Sequence, residues 1–273
     1  WAWGGLDLQY VSEATVLLAI VAAFKNEILE FLTRGRYQKT VNEGRMRIYQ
    51  SELMPEVIVL EGGVGKKLSH MGTLQLIERF RPDMVISAGF AGGAMPGSTV
   101  GDAFFCDRLV SVNGPLYLWG KNRAVEHFDP ELPERIRSKF PSLDSEYKIG
   151  ACLTVPHFIS SSSMKLWLGE TFQVRLIDME SYWVFEAAKS AGVPQLSLKV
   201  ILDPVEQSLP GFVSNTMFTG GAYRAVMGAA YVARNPFEVR RLFRLNRQVK
   251  RSRKILADFL FRIVAEQGAA ARW

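Results

Sequence analysis

Cysteine is scarce. Cys106 and Cys152 are the two in 273 residues, and no CxxC contains either. That excludes a disulfide-stapled scaffold and the paired-thiolate zinc sites, and it fits a reducing compartment. Histidine is nearly as thin: His70, His127 and His157 stand far apart, with no HxxxH and no acidic companion at ligand spacing. No metal centre is expected. Long hydrophobic runs are missing too. The longest, "ATVLLAIVAAF" (14–24), has 11 residues, against about 20 for a membrane-crossing helix. The opening "WAWGGLDLQYVSE" lacks the basic start of a secretory leader and lacks an initiator Met. The expected location is the cytoplasm. With no repeat, low-complexity tract or long linker, residues 1–273 read as one domain.

What is present is ordinary for a globular protein: 48% apolar and 22% charged residues. The formal charge of +6 is unevenly spread. Residues 234–254, "RNPFEVRRLFRLNRQVKRSRK", hold nine basic residues and one acid, so the remainder of the chain sums to −2.

Buried strands are expected at 15–23, 56–60, 83–88, 101–112, 148–154, 174–178 and 195–202. Amphipathic helices are expected at 25–33, 65–80, 131–139, 180–191 and 236–265. Continuous apolar strands alternating with helices predict an α/β fold, a single domain with a mostly parallel, mixed central sheet flanked by helices. "SSSS" (160–163) and "DPVEQSLPGFVSN" (203–215) read as polar loops. In such sheets ligands sit beyond the carboxyl ends of the strands. Five of those ends carry glycine or acid: "FKNE", "EGGVGK", "GFAGG", "DME" and Asp203.

The carboxylates at 178–180 need an explanation, because burying an unpaired charge is costly. Either Asp178 and Glu180 cap the helix that follows, or they face chemistry. The glycines alone decide nothing. "GGVGK" (62–66) lacks the spacing and the Ser/Thr of a Walker loop. "SAGFAGG" (87–93) allows close backbone approach, and a tight strand-to-helix turn would use the same residues.

The ordered set is more telling. "AFKNEI" (23–28), "GGVGK", "SAGFAGG", "VGD" (100–102), "PHFI" (156–159), "IDMES" (177–181) and "ILD" (201–203) occur in sequence. Together they resemble the purine nucleoside phosphorylase and nucleosidase superfamily, and within it the methylthioadenosine/S-adenosylhomocysteine nucleosidases. "DPVEQSLP" and the basic tail are similar to the hopanoid-associated branch, which removes adenine from adenosylhopane. The resemblance implies hydrolysis of an adenine N-ribosyl bond without metal or organic cofactor, by a homodimer, with adenosylhopane the expected substrate and methylthioadenosine or S-adenosylhomocysteine the alternative. It implies Asp203 as the acid that protonates N7 and Glu27 as the carboxylate that activates water. Glu180 would accept the ribose hydroxyls, and Met179 would pack its thioether on the sugar. Phe158 and Ile159 would frame the adenine, and Gly89, Phe90 and Ala91 would line the sugar side. Plain structure offers rivals: a first-turn acid at Glu27 or Glu180, a turn former at Asp203, packing at Phe90. Asp178 is expected to cap or pair.

The acceptor decides between hydrolysis and phosphorolysis. A phosphate dianion calls for convergent arginines and hydroxyls. Where the phosphorylase branch carries them, this chain has Lys25, Ser87 and Phe90, and Glu27 would repel phosphate. Water is the expected nucleophile, with a phosphorylase as the alternative. Phe90 also departs from the small hydroxyl residue of the nucleosidases and would suit a bulky apolar 5′ group. The helix at 236–265 would present a cationic face to solvent or dock on an anionic membrane at the inner face. No nucleic-acid module is visible. A non-catalytic nucleoside-binding or membrane-docking protein on this scaffold is the rival from another class.

Overall fold

Residues 16–44, 46–114, 124–143, 146–209 and 239–267 are described by the computed structural model. The expectations for 1–15, for 210–215 and for the helix start at 234–238 lie outside the described residues. β1 (Leu18–Ala22) is five buried apolar residues, flanked in parallel by β4 (Val57–Glu61) and β5 (Met84–Gly93). A strand covered on both faces has no polar side to alternate with. Its side chains still alternate in direction. Leu18, Ile20 and Ala22 pack with Ile28 and Phe31 of α1 (Lys25–Arg34) and Leu256, Leu260 and Ile263 of α6 (Val239–Gln267). Ala19 and Val21 pack with Leu76 and Ile77 of α2 (Lys66–Phe80) and Val184 and Ala188 of α5 (Ser181–Ser190). Helices therefore cover both faces.

β5 is the hub, because the sheet forks along it. Its residues 85–92 pair in parallel with β12 (Gln195–Asp203), while its last two, Gly92 and Gly93, pair antiparallel with β11 (Leu176–Asp178). From β12 the sheet continues through β6 (Ala103–Phe105) to β9 (Tyr147–Ile149). From β11 it continues through β10 (Cys152–Thr154) and β7 (Arg108–Ser111) to β8 (Val125–Phe128). A hairpin of β2 (Gln38–Glu43) and β3 (Met46–Gln50) extends the β4 edge. Among the described residues six strand pairings are parallel and five antiparallel, so the sheet is mixed rather than mostly parallel.

Several elements differ from expectation for physical reasons. The stretch 101–112 is two strands, because at Cys106–Asp107 the chain leaves β12 and crosses to β10. The stretch 148–154 divides at Gly150–Ala151 in the same way. β2 is mostly polar and exposed, so no apolar run marks it. "SSSS" is not a loop throughout: Ser161 caps α4 (Ser162–Phe172) by accepting the Met164 N–H at 3.4 Å. The buried face of α4 is Lys165, Leu168, Gly169 and Phe172, a helical spacing in which a lysine and a glycine occupy core positions. That substitution hides the amphipathic pattern. α3 (Leu132–Lys139), α5 and α6 fall near their expected places.

Gly169 seats α4 on the backbone beyond β5. A methyl group there would land on the Ala94 carbonyl oxygen, which has no freedom to yield. Gly169→Ala should lower stability by about 1–3 kcal/mol, read as a drop in thermal midpoint, and should disturb whatever α4 carries at Lys165.

Candidate active site

The ends of β1, β5, β11 and β12 meet at one cavity of about 290 Å3. Glu27, in the first turn of α1, reaches it just after β1. Phe90 and Ala91 line it from β5, Met179 and Glu180 from the β11–α5 junction, and Asp203 from the last position of β12. Phe158 and Ile159 close another wall. Three acids distant in sequence thus share one space. Gly89 is not among the lining residues, yet it has a clear part: a Cβ there would lie 2.9 Å from Glu27 Oε1. Its bare backbone lets the Glu27 carboxylate lie across β5.

Glu27 and Glu180 are held by the main chain. Glu27 accepts the Phe90 N–H at 3.0 Å and the Phe24 N–H at 3.1 Å. Burial raises its pKa, which these N–H groups and Lys199 partly offset. Glu180 accepts the Gly65 N–H at 3.0 Å, which gives the "GGVGK" turn a specific task. Burial and the nearby Asp178 push Glu180 up to about 8. Asp178 lies beneath them and both caps and pairs. It accepts Thr154 Oγ1 at 2.7 Å, the Ser181 N–H at 2.9 Å and Ser181 Oγ at 2.6 Å, and lies 3.1 Å from Lys199 Nζ. Burial would raise the Asp178 pKa, but Lys199 and these hydroxyls hold it below the usual carboxylate range.

Asp203 sits at an irregularity in the β12–β5 register, where Ile201 faces Ala91 and Asp203 faces Gly92. Such a bulge re-aims the side chain that follows it. Lys165 Nζ donates to Asp203 Oδ2 at 2.8 Å, and both side chains are buried. Burial pushes Asp203 up to about 6 against the pull of Lys165. A carboxyl in that range is ionised or protonated within a unit or two of neutral pH, as proton transfer requires.

Sequence reasoning missed both lysines. Lys199 lies within an apolar strand and Lys165 within an unrecognised helix; the signal in each case was a charge at a core position. It also missed that α6 forms a wall: Leu242, Leu245 and Val249 line the cavity, while Leu256, Phe259, Leu260 and Ile263 of the same helix enter the core. His157 and Asn26 complete the polar lining. Among the described residues that line the cavity there is no arginine. None of the described residues forms a group of three or more His, Cys, Asp or Glu placed to hold a metal ion.

The family model described as "Phosphorylase superfamily" matches residues 17–234. The chain belongs to the phosphorylase superfamily. Within it, the 5′-methylthioadenosine/S-adenosylhomocysteine nucleosidase of Listeria welshimeri is 27% identical over 203 residues, covering 70% of this chain and 87% of the relative. The corresponding nucleosidase of Geobacillus thermodenitrificans is 28% identical over 172 residues, covering 60% and 71%. In fold, this superfamily member resembles the Helicobacter pylori 5′-methylthioadenosine/S-adenosyl homocysteine nucleosidase, with a TM-score of 0.69 at 18% identity over 93% of this chain and 100% of the other. The futalosine hydrolase of the same organism gives a TM-score of 0.68 at 19% identity with the same coverage.

The raised pKa of Glu180 has a consequence for stability. At pH well below 4.5 the carboxyl is protonated whether folded or unfolded and contributes nothing. Between 4.5 and about 8 the unfolded chain loses the proton and the folded chain keeps it, so stability falls as pH rises. Above 8 the full penalty is present. Glu180→Gln keeps the acceptor for Gly65 and removes the charge. The variant should melt above the parent, and the gap should widen from pH 5 to pH 9, by about 2–4 °C for each kcal/mol of penalty.

Proposed function

We propose that this protein hydrolyses the N-ribosyl bond of a 5′-substituted adenine nucleoside. The observation that carries the reading is the meeting of Glu27, Glu180 and Asp203 at one cavity whose described lining contains no arginine. Asp203 gives its proton to N7 as the C1′–N9 bond breaks, so adenine leaves neutral rather than as an anion. Glu180 pairs with the ribose hydroxyls, and in its ionised form it favours the cationic character that develops at C1′. Glu27 takes a proton from the water that attacks C1′. Met179 lies against the sugar, with Phe158 and Ile159 framing the base. Both nearby buried lysines are already engaged by Asp203 and Asp178. A phosphate dianion would meet the Glu27 carboxyl group and, among the described residues that line the cavity, no guanidinium, which favours water over phosphorolysis.

The curated relatives favour a 5′-methylthio or 5′-homocysteinylthio substituent. A second reading, adenosylhopane, is favoured by Leu242, Leu245, Val249, Leu209 and Phe90, apolar side chains that line the same cavity. On that reading the exposed Arg240, Arg241, Arg244, Arg247, Lys250 and Arg251 of α6, with Phe243 at 66% exposure, rest on an anionic membrane surface. No helix among the described residues is long and apolar enough to cross a membrane. The proposed assembly is the homodimer that the family resemblance implies.

Adenine release followed by chromatography, from 5′-methylthioadenosine and from adenosylhopane, each with and without phosphate, tests the reaction. Release independent of phosphate is expected; release only with phosphate would overturn the assignment of Glu27. Faster release from 5′-methylthioadenosine supports the first substituent, and faster release from adenosylhopane supports the second. Asp203→Asn should lower kcat by about 10²–10⁴-fold. Vesicles containing phosphatidylserine should sediment the protein at low salt and lose it at high salt if α6 docks on lipid; equal retention on neutral vesicles argues against that docking.

A further inference from the structure

Lys165 is 1% exposed and lies on the core-facing side of α4. An ammonium group in that position must be fully partnered. Its Nζ donates to three acceptors: Asp203 Oδ2 at 2.8 Å, the Pro204 carbonyl at 2.7 Å and the Gln207 carbonyl at 2.8 Å. Three donors and three acceptors leave no proton over for a ligand. Lys165 therefore does not serve as a base or an anion-binding group in its own right, although it lines the cavity.

Its partners have a pattern. Two are backbone carbonyls of the turn after β12, and the third is one oxygen of the carboxyl group at the end of β12. The ammonium thus holds the Asp203 side chain in register with the turn that carries Leu209, another cavity-lining residue. With Oδ2 committed to Lys165, Oδ1 is the oxygen left for a ligand. On the opposite side Gly92 presents no side chain; a Cβ there would sit 3.5 Å from Oδ2, in ordinary contact.

We propose that Lys165 is a positioning residue for Asp203, fixing one carboxylate oxygen so that the other faces the base and making the carboxyl group a stronger acid. This rests on the reading of Asp203 as the proton donor to adenine. When that proton leaves, a buried carboxylate is created beside a buried ammonium, and the pair is then electrostatically complete. Without the ammonium the same step would strand a negative charge in a dry site. The other ionisable groups lining the cavity are Glu27, Asp178, Glu180 and His157. The groups that α6 presents to the cavity are uncharged, Leu242, Leu245 and Val249; Gln248 bonds Gln207 and Ser252 bonds the Ile201 carbonyl, while Arg241 and Arg244 lie beside Glu206 and Gln207 of the turn and Arg251 lies beside Gly101. Lys165 is the only ionisable partner that the structure gives Asp203 among the described residues.

The sign of the effect is specific. Removing the positive charge disfavours the ionised carboxyl, so Asp203 holds its proton to higher pH. The alkaline limb of kcat should then move up, even as the low-pH plateau falls because a weaker acid yields its proton less readily. A mere tether for the turn would lower kcat at every pH and leave the limb in place.

The experiment compares the parent with Lys165→Met, Lys165→Gln and Lys165→Arg. It uses 5′-methylthioadenosine as substrate and, in the absence of substrate, an infrared titration of the carboxyl band, with Asp203→Asn as the blank. Lys165→Met and Lys165→Gln should raise the Asp203 midpoint by about one to three units and lower plateau kcat at least tenfold. Lys165→Arg, which keeps the charge, should leave the midpoint near that of the parent. Lys165→Gln serves if Lys165→Met does not fold. In the Asp203→Asn background, Lys165→Met should change kcat less than twofold, since it acts through a group already removed. An unmoved midpoint, or an equal loss in that background, would overturn the proposal for Lys165 alone. An Asp203→Asn enzyme as active as the parent would instead remove the proton-donor reading beneath it.

Discussion

The ion pair between Asp178 and Lys199 is the constraint on which the site depends. Both side chains are buried, 3.1 Å apart, and they join β11 to β12 across the fork that β5 creates. Thr154 on β10 and Ser181 at the start of α5 complete the carboxylate's hydrogen bonds, and Thr154 Oγ1 in turn accepts the Tyr182 N–H at 3.0 Å. Three strands and a helix therefore converge on one buried anion. Breaking such a pair costs about 3–5 kcal/mol, because the survivor is left charged in a dry interior. Glu27, Glu180 and Asp203 line the same cavity as Asp178. Lys199 also draws down Glu27 and Glu180, so a single ammonium tempers three carboxylates that would otherwise repel one another.

A second pair, Lys165 with Asp203, repeats the device on the other side of the cavity with a different outcome. Asp178 is saturated by four partners and held ionised. Asp203 has one charged partner and stays close to its titration point. Two buried aspartates thus receive opposite assignments from the number of donors around them. The same arithmetic separates structure from chemistry along the short run Asp178-Met179-Glu180: the first acid is consumed by the fold, and the second keeps an oxygen for the cavity.

Much of this was legible in the sequence, and what was legible has a common cause. Apolar strands buried on both faces announce themselves by composition, so β1, β4, β5 and β12 fall where expected. Acids and glycines at strand ends violate that composition and therefore stand out, and the resemblance of the ordered motifs then singled out Glu27, Glu180 and Asp203 among them. What stayed hidden was of the opposite kind. Lys165 and Lys199 are polar residues in core positions, and they make sense only once their partners on other elements are known. α4 was concealed because Lys165 and Gly169 occupy its buried face. The fork at β5 was concealed because pairing direction is a property of strand order, which local pattern does not encode. Gly89 was expected among the substrate-binding residues, and local pattern did not reveal that its absent side chain also makes room for Glu27.

α6 has an uneven anatomy with an evolutionary corollary. Its second half, from Leu256 onward, is locked into the core, whereas its first half meets the body of the protein through three aliphatic side chains at the cavity wall and through polar bonds from Gln248, Ser252 and Arg253. Those three side chains make none of the hydrogen bonds that hold Glu27, Glu180 and Asp203. Exchanging them would redraw the outline of the chamber while the carboxylates keep their places. On the proposed reading, a lineage with this scaffold would trade one 5′ substituent for another through a few exchanges on a single helix.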